Sequence, residues 1–180
     1  EKDSGSIVFD LRSSHAVAKS IASAGGKSVR SRVGHVFMKQ AMAEHDAPFG
    51  GELSGHFYFR DNFYADSGAM AFAAVVSAIA GSERTMSSQI APHRSYCQSG
   101  EINFETSDKD QAMAKLVSAY PDAEVDRLDG VTVDCGVWWC NVRGSNTEPL
   151  LRLNLEASTE EEVLARVDEV SQFLGTRVDH

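Results

Sequence analysis

The chain has 180 residues, enough for one domain or two small ones, and its 42% apolar and 24% charged content is ordinary for a globular protein. A net charge of −9 with no long basic run argues against nucleic acid as a partner. The longest apolar run, Ala69 to Ala80, is too short to cross a bilayer, so no membrane association is expected.

Cys97, Cys135 and Cys140 are odd in number and lack C-x-x-C spacing. Neither a disulfide framework nor a zinc site is indicated, and reduced thiols fit a cytoplasmic setting. The chain opens at Glu1 without a methionine and enters an apolar run within a few residues, which reads as a piece of a longer protein.

Taken in order, Ile7 to Leu11 suits a buried parallel strand. Ser13 or Ser14 can cap a helix with Val17 and Ile21 on one face, stopped by Gly25-Gly26. Ser28 to Arg32 is a second strand, and Phe37, Met38, Ala41 and Met42 follow helical spacing after Gly34. Ala47 to Gly51 is a third strand, so strand and helix alternate as in a parallel α/β sheet. Ligands bind beyond the C-terminal strand ends of such sheets, where Arg12 and Glu52 fall. Asp66 is the expected cap of a helix through Ala80, apolar almost all round and therefore expected to be buried. The segment 85–94, with Pro92, reads as a hinge between a domain at 1–84 and another at 95–180.

The second part begins with a strand near Glu101 to Glu105. Ser107 and Asp110 form an expected capping box for a helix with Met113, Leu116, Val117 and Tyr120 inward. Asp129-Gly130 signals a hairpin, and strands follow at Val137 to Val142 and Leu150 to Leu155. Trp138 and Trp139 must point to opposite faces of their strand, so at least one belongs to the core. Ser158 with Glu161 is the expected start of the last helix, with Val163, Leu164, Val167, Val170 and Leu174 toward the sheet and Gly175 after its end. The pattern β-α-β-β-β-β-α predicts one antiparallel sheet with two helices on one face.

Two polar loops stand out. Gly50-Gly-Glu-Leu-Ser-Gly-His56 places a carboxylate, a hydroxyl and an imidazole after a strand, with glycines that leave room for a ring to approach. Arg143-Gly-Ser-Asn-Thr-Glu-Pro149 joins two strands. It offers the guanidinium fork and short donors that a phosphate requires, in an exposed loop where Gly144 is expected to let the backbone turn. His35 and His56 are the imidazoles nearest these residues, and either can exchange a proton with a hydroxyl or bind phosphate as imidazolium. His15, His45, His93 and His180 fit no motif. Arg152 reads as a structural ion-pair residue.

In its "GGELSGH" and "RGSNTEP" loops and the flanking "FDLRSS" and "VGH" segments, the chain resembles the C-terminal half of the α-D-phosphohexomutases, specifically the phosphomannomutase/phosphoglucomutase group. The resemblance spans essentially all of it. It implies an incomplete three-layer α/β domain, the family's third, then an α+β domain like that of the TATA-box-binding protein, the family's fourth. It implies that Arg12, His35, Glu52, Ser54 and His56 meet the sugar or phosphate, with His56 the candidate for proton transfer. Arg143, Gly144, Ser145, Asn146 and Thr147 would hold the non-reacting phosphate. Leu53 lies nearest the mannose and glucose enzymes, because phosphoglucosamine mutases favour glutamine there.

The family reaction passes a phosphoryl group from a phosphoserine to a hexose phosphate through a hexose 1,6-bisphosphate, with Mg2+. Neither the Ser-His-Asn-Pro segment nor the Asp-rich magnesium loop of that chemistry occurs here, so the first and second domains of the same protein are the expected partners and the chain alone should be inactive. The alternative is a stand-alone phosphosugar-binding module without catalysis.

Overall fold

The computed structural model describes residues 5–145 and 148–178. The chain divides into two units, one ending at Ser95 and the other beginning at Tyr96.

In the first unit the apolar run becomes β1 (Ser6–Asp10), the centre of a sheet ordered β2-β1-β3-β4-β5. Strands β2 (Lys27–Ser31) and β3 (Phe49–Gly51) both run parallel to β1. Parallel neighbours require crossovers, supplied by α1 (His15–Ser23) and α2 (His35–Glu44). The chain moves from β1 to β2, then back past β1 to β3, so right-handed crossovers put the two helices on opposite faces. Ser14 caps α1, accepting from the Ala16 N–H at 3.0 Å. Ala16, rather than Val17 or Ile21, is the buried residue of α1; those two are only half covered.

Helix α2 buries Met38 and Met42, which pack with Val8, Ala47 and Tyr58. A Cβ on Gly50 would stand 2.7 Å from Met42 Sδ, so this glycine admits α2 to the sheet rather than a ring to a site. Strand β4 (Phe57–Phe59), an apolar run that itself reads as a strand, and β5 (Ala65–Asp66) extend the sheet antiparallel, a direction that the strand-helix rhythm does not foretell.

Helix α3 (Gly68–Ala80) starts one residue later than expected: Ser67 caps it, while Asp66 ends β5. None of its residues is buried, and Phe72 is 72% exposed. The expectation of burial fails for a physical reason. A helix apolar all round needs cover on every side, and the described elements of its own unit leave it largely uncovered. The segment 85–94 holds α4 (Met86–Ile90) and a short 3-10 turn, Ala91–His93.

The second unit has a wholly antiparallel sheet, ordered β11-β6-β10-β9-β8-β7. Its strands are β6 (Cys97–Glu105), β7 (Glu124–Asp126), β8 (Val131–Asp134), β9 (Trp138–Gly144), β10 (Leu150–Ala157) and β11 (Thr176–Val178). Helices α5 (Lys109–Ala119) and α6 (Glu160–Leu174) pack on the apolar face. Each fully buried Val or Leu of this core contributes about 1.5–3 kcal/mol. Asp108 and Thr159, not Ser107 and Ser158, provide the caps, accepting from Gln111 and Glu162. Leu164 points to solvent, 62% exposed, while Val163, Val167, Val170 and Leu174 are buried.

Strict alternation gives the sheet two characters. Trp138, Cys140, Val142, Leu151, Leu153 and Leu155 enter the helical core, where Tyr120 meets Trp138 edge-on at 5.2 Å. The other face carries cross-strand rungs of Arg143 with Arg152, Asn141 with Asn154, and Trp139 with Glu156. Trp139 donates its indole N–H to Glu156 at 3.0 Å. The four buried polar atoms without a hydrogen-bond partner among the described residues are Asn141 Oδ1, Arg143 Nε, Arg152 Nε and Asn154 Oδ1, all on this face.

The β7–β8 turn depends on Gly130, whose φ is +67° and whose added Cβ would lie 2.2 Å from the Val142 carbonyl oxygen. Gly130→Ala is therefore expected to cost about 2–4 kcal/mol, since neither the backbone angle nor the facing strand can give way cheaply. A urea melt checks this, and an unchanged midpoint would show that the turn can move off β9.

Candidate functional site

In the first unit the parallel strands β2, β1 and β3 end on one edge of the sheet, and the segments that follow them carry Arg12, His35 and residues 52–56. Two buried carboxylates knit these segments together. Asp10, fully buried, accepts from the Arg12 backbone N–H at 2.8 Å and from Arg12 Nη2 at 2.6 Å. It also accepts from the Leu53 N–H at 3.0 Å, tying the turn after β3 to β1. Glu52, 8% exposed, accepts from the Gly34 N–H through Oε1 at 3.0 Å and from the Tyr58 hydroxyl through Oε2 at 2.5 Å.

The turn itself is closed by Glu52 N–H to the His56 carbonyl at 2.9 Å and Gly55 N–H to the Glu52 carbonyl at 3.0 Å. Gly55 needs its φ of +86°, the one place in this loop where a glycine's freedom is used. Ser54 Oγ and His56 Nδ1 are hydrogen-bonded at 3.1 Å on the exposed side of the turn. His35 opens α2 and is exposed. The fold thus gathers all five expected residues of this unit on one edge. Arg12 differs from its expectation in one respect: its guanidinium lies against Asp10, and the residue is 9% exposed.

The second expected loop departs further. Arg143 stands on β9, not in an exposed loop, and is 6% exposed. The strand runs two residues past the predicted end at Val142, drawn on by pairing of Arg143 with Arg152 and Gly144 with Leu151. Gly144 has no left-handed φ, and a Cβ there would meet only Lys109, at 3.5 Å, so its role as a turning point is not borne out. Arg143 Nη2 donates to Glu101 Oε2 at 2.7 Å, and Arg152 Nη1 reaches the other oxygen of Glu101 at 3.3 Å. Arg152 also pairs with Glu148 at 3.3 Å, as the ion-pair reading of that residue expects.

Ser145 N–H donates to the Leu150 carbonyl at 2.8 Å and closes the strand pair. Asn146 and Thr147 lie outside the described residues. Lys109 Nζ donates to the carbonyls of Ser145, at 3.3 Å, and Glu148, at 2.9 Å, holding both shoulders of the loop from the first turn of α5. A cation at a helix N-terminus opposes the helix dipole, and these two bonds offset that cost.

Asp10, Tyr58, Glu101 and Lys109 were not singled out from the sequence. Asp10 had a readable signal, an acid two residues before an arginine at a strand end; Glu101 owes its place to pairing across the sheet, and Lys109 reaches the loop from the start of α5. Among the described residues no three His, Cys, Asp or Glu side chains gather to hold a metal ion. No helix among them is long and apolar enough to cross a membrane.

Residues 1–96 match the family model for phosphoglucomutase/phosphomannomutase α/β/α domain III, and residues 101–172 match that for the C-terminal domain. The chain belongs to the phosphoglucomutase/phosphomannomutase family. It is 41% identical over 175 residues to a phosphomannomutase of Methanocaldococcus jannaschii, covering 97% of this chain and 39% of that protein. It is 38% identical over 174 residues to a Xanthomonas campestris protein described as phosphohexose mutases, covering 94% and 39%. The solved structure of a phosphoglucomutase/phosphomannomutase family protein from Burkholderia thailandensis superimposes with a TM-score of 0.80 at 25% identity, over 93% of this chain and 36% of the other. The family match agrees with the two sheets seen here, an α/β domain followed by an α+β domain. The chain spans about two fifths of the length of these relatives.

Proposed function

We propose that this chain is the sugar- and phosphate-recognising part of a phosphohexomutase that interconverts hexose 1-phosphate and hexose 6-phosphate, with mannose, glucose or both as the sugar. The observation that carries the reading is the edge of the first sheet, where Arg12, His35, Glu52, Ser54 and His56 converge in a member of this family. Glu52 and Ser54 take the sugar hydroxyls, and Arg143, Gly144, Ser145, Asn146 and Thr147 take the phosphate that does not react. Arg12 and His35 supply charge and donors beside the ring.

His56 exchanges the proton of the reacting hydroxyl. Its Nδ1 is engaged with Ser54, which fixes the ring plane and turns Nε2 to the opposite side. The reacting phosphoserine belongs to other domains of the same protein, as do the Mg2+ ligands. A hexose 1,6-bisphosphate is the intermediate, and the cytoplasm is the compartment, in keeping with three free cysteines.

The test is a coupled assay of hexose 1-phosphate to 6-phosphate conversion, comparing the full-length protein with the 180-residue chain alone, each with magnesium and hexose 1,6-bisphosphate. Turnover by the full-length protein and none by the chain is expected. Phosphosugar binding without turnover by the full-length protein would put a non-catalytic binding module in place of this reading.

A further inference from the structure

We propose that Tyr58 is a positioning residue for sugar recognition, aiming the Glu52 carboxylate through its buried hydroxyl. The proposal rests on the sugar-binding role given to Glu52 above. A glutamate has three rotatable bonds, and a flexible one meets a sugar poorly because ordering it on binding costs up to about 2 kcal/mol. Here the two carboxylate oxygens are anchored from two different elements. The Gly34 N–H, at the start of α2, holds Oε1, and Tyr58, on β4, holds Oε2. The remaining lone pairs of both oxygens then have a fixed direction.

The anchor is itself enclosed. Tyr58 is fully buried among Val8, Met38, Met42 and Ala47, and its strand is paired with Gly50 on one side and Asp66 on the other. Burial first, then the bond to Glu52 and the nearby charges of Glu52, Asp66 and Asp10, push the phenol well above the ordinary tyrosine range. The hydroxyl therefore stays protonated and keeps donating. Aromatic residues on short strands are usually packing residues, and the ring of Tyr58 does pack. The oxygen is what distinguishes it, because phenylalanine would fill the same volume without reaching Glu52.

The test is a double-mutant cycle in the full-length protein, using Tyr58→Phe and Glu52→Gln, read as kcat/KM on hexose 1-phosphate. Calorimetric affinity for hexose 6-phosphate, corrected to the folded fraction, accompanies it so that lost stability does not imitate lost recognition. Tyr58→Phe alone is expected to lower kcat/KM about 10-fold, the worth of one hydrogen bond to a charged group. In the Glu52→Gln background the same change should cost less than about twofold, because the amide that Tyr58 still holds no longer presents a charge to the sugar. Equal losses in both backgrounds would make Tyr58 merely structural and overturn the proposal, as would no loss in the wild-type background. If Glu52→Gln alone leaves kcat/KM and affinity unchanged, the role of Glu52 fails instead, and this proposal with it.

Discussion

Arg143→Ala is expected to weaken phosphosugar binding by about 2–4 kcal/mol, roughly 30- to 1000-fold in affinity, because the bidentate charge-assisted contact proposed for it disappears. An arginine in an exposed loop could be removed with little effect on stability, but Arg143 is a strand residue with its guanidinium 2.7 Å from Glu101. Its removal leaves a partly buried carboxylate with Arg152 as the remaining cation of the pair. A loss of about 1–3 kcal/mol of stability should therefore accompany the loss of binding. Calorimetry with hexose 6-phosphate and a urea melt measure the two effects separately. Unchanged affinity in a folded variant would remove Arg143 from the phosphate site; unchanged stability would mean that Arg152 takes over Glu101 fully.

The second large effect is expected at Glu52. Glu52→Gln preserves shape but removes the charge and turns one acceptor into a donor. Gly34 can only donate, so the amide oxygen must face its N–H and the amide NH2 must face Tyr58, whose hydroxyl then accepts. The loop survives at a cost of about 1–2 kcal/mol. Recognition suffers more: turnover per KM should fall about 30- to 100-fold on mannose and glucose phosphates alike, the equivalent of about 2–3 kcal/mol. Ser54→Ala should be milder, since Ser54 lies on the exposed side of the turn. Full activity of Glu52→Gln on both sugars would make the loop a structural turn.

Much of the architecture was legible because its signals are local. Apolar runs and helical spacing located β1, β2, β3, α1 and α2 to within a few residues, and alternation split Trp138 from Trp139 correctly. The caps of α3, α5 and α6 each slipped by one residue. In every case two neighbouring polar side chains compete, and backbone angles rather than composition choose between them. Strand β11 was missed because three residues carry no period and their partner, β6, lies far away in sequence.

The site divides in the same way. Glycine-rich loops after strands announce where ligands can be held, and Arg12, His35, Glu52, Ser54 and His56 do share one edge. What holds them does not show in a linear reading. The pairing of Asp10 with Leu53 and of Lys109 with Ser145 joins residues far apart in the chain. The burial of Arg143 followed from strand pairing, and the use of Gly50 from the methionines facing it.

Glu101, lying between two guanidiniums, competes for Arg143 with the anion that the proposed reading brings there. An incoming anion must be a better partner than a carboxylate already in place, and Glu101 can retreat to Arg152 without becoming an unpaired charge. Chloride offers one charge and no directed oxygens, so it gains little in that competition. A phosphate dianion brings a second charge and three acceptors, and it gains on both counts. In the proposed reading the sheet therefore carries a threshold against the common monovalent ions of the cell, one that a phosphosugar crosses and chloride does not.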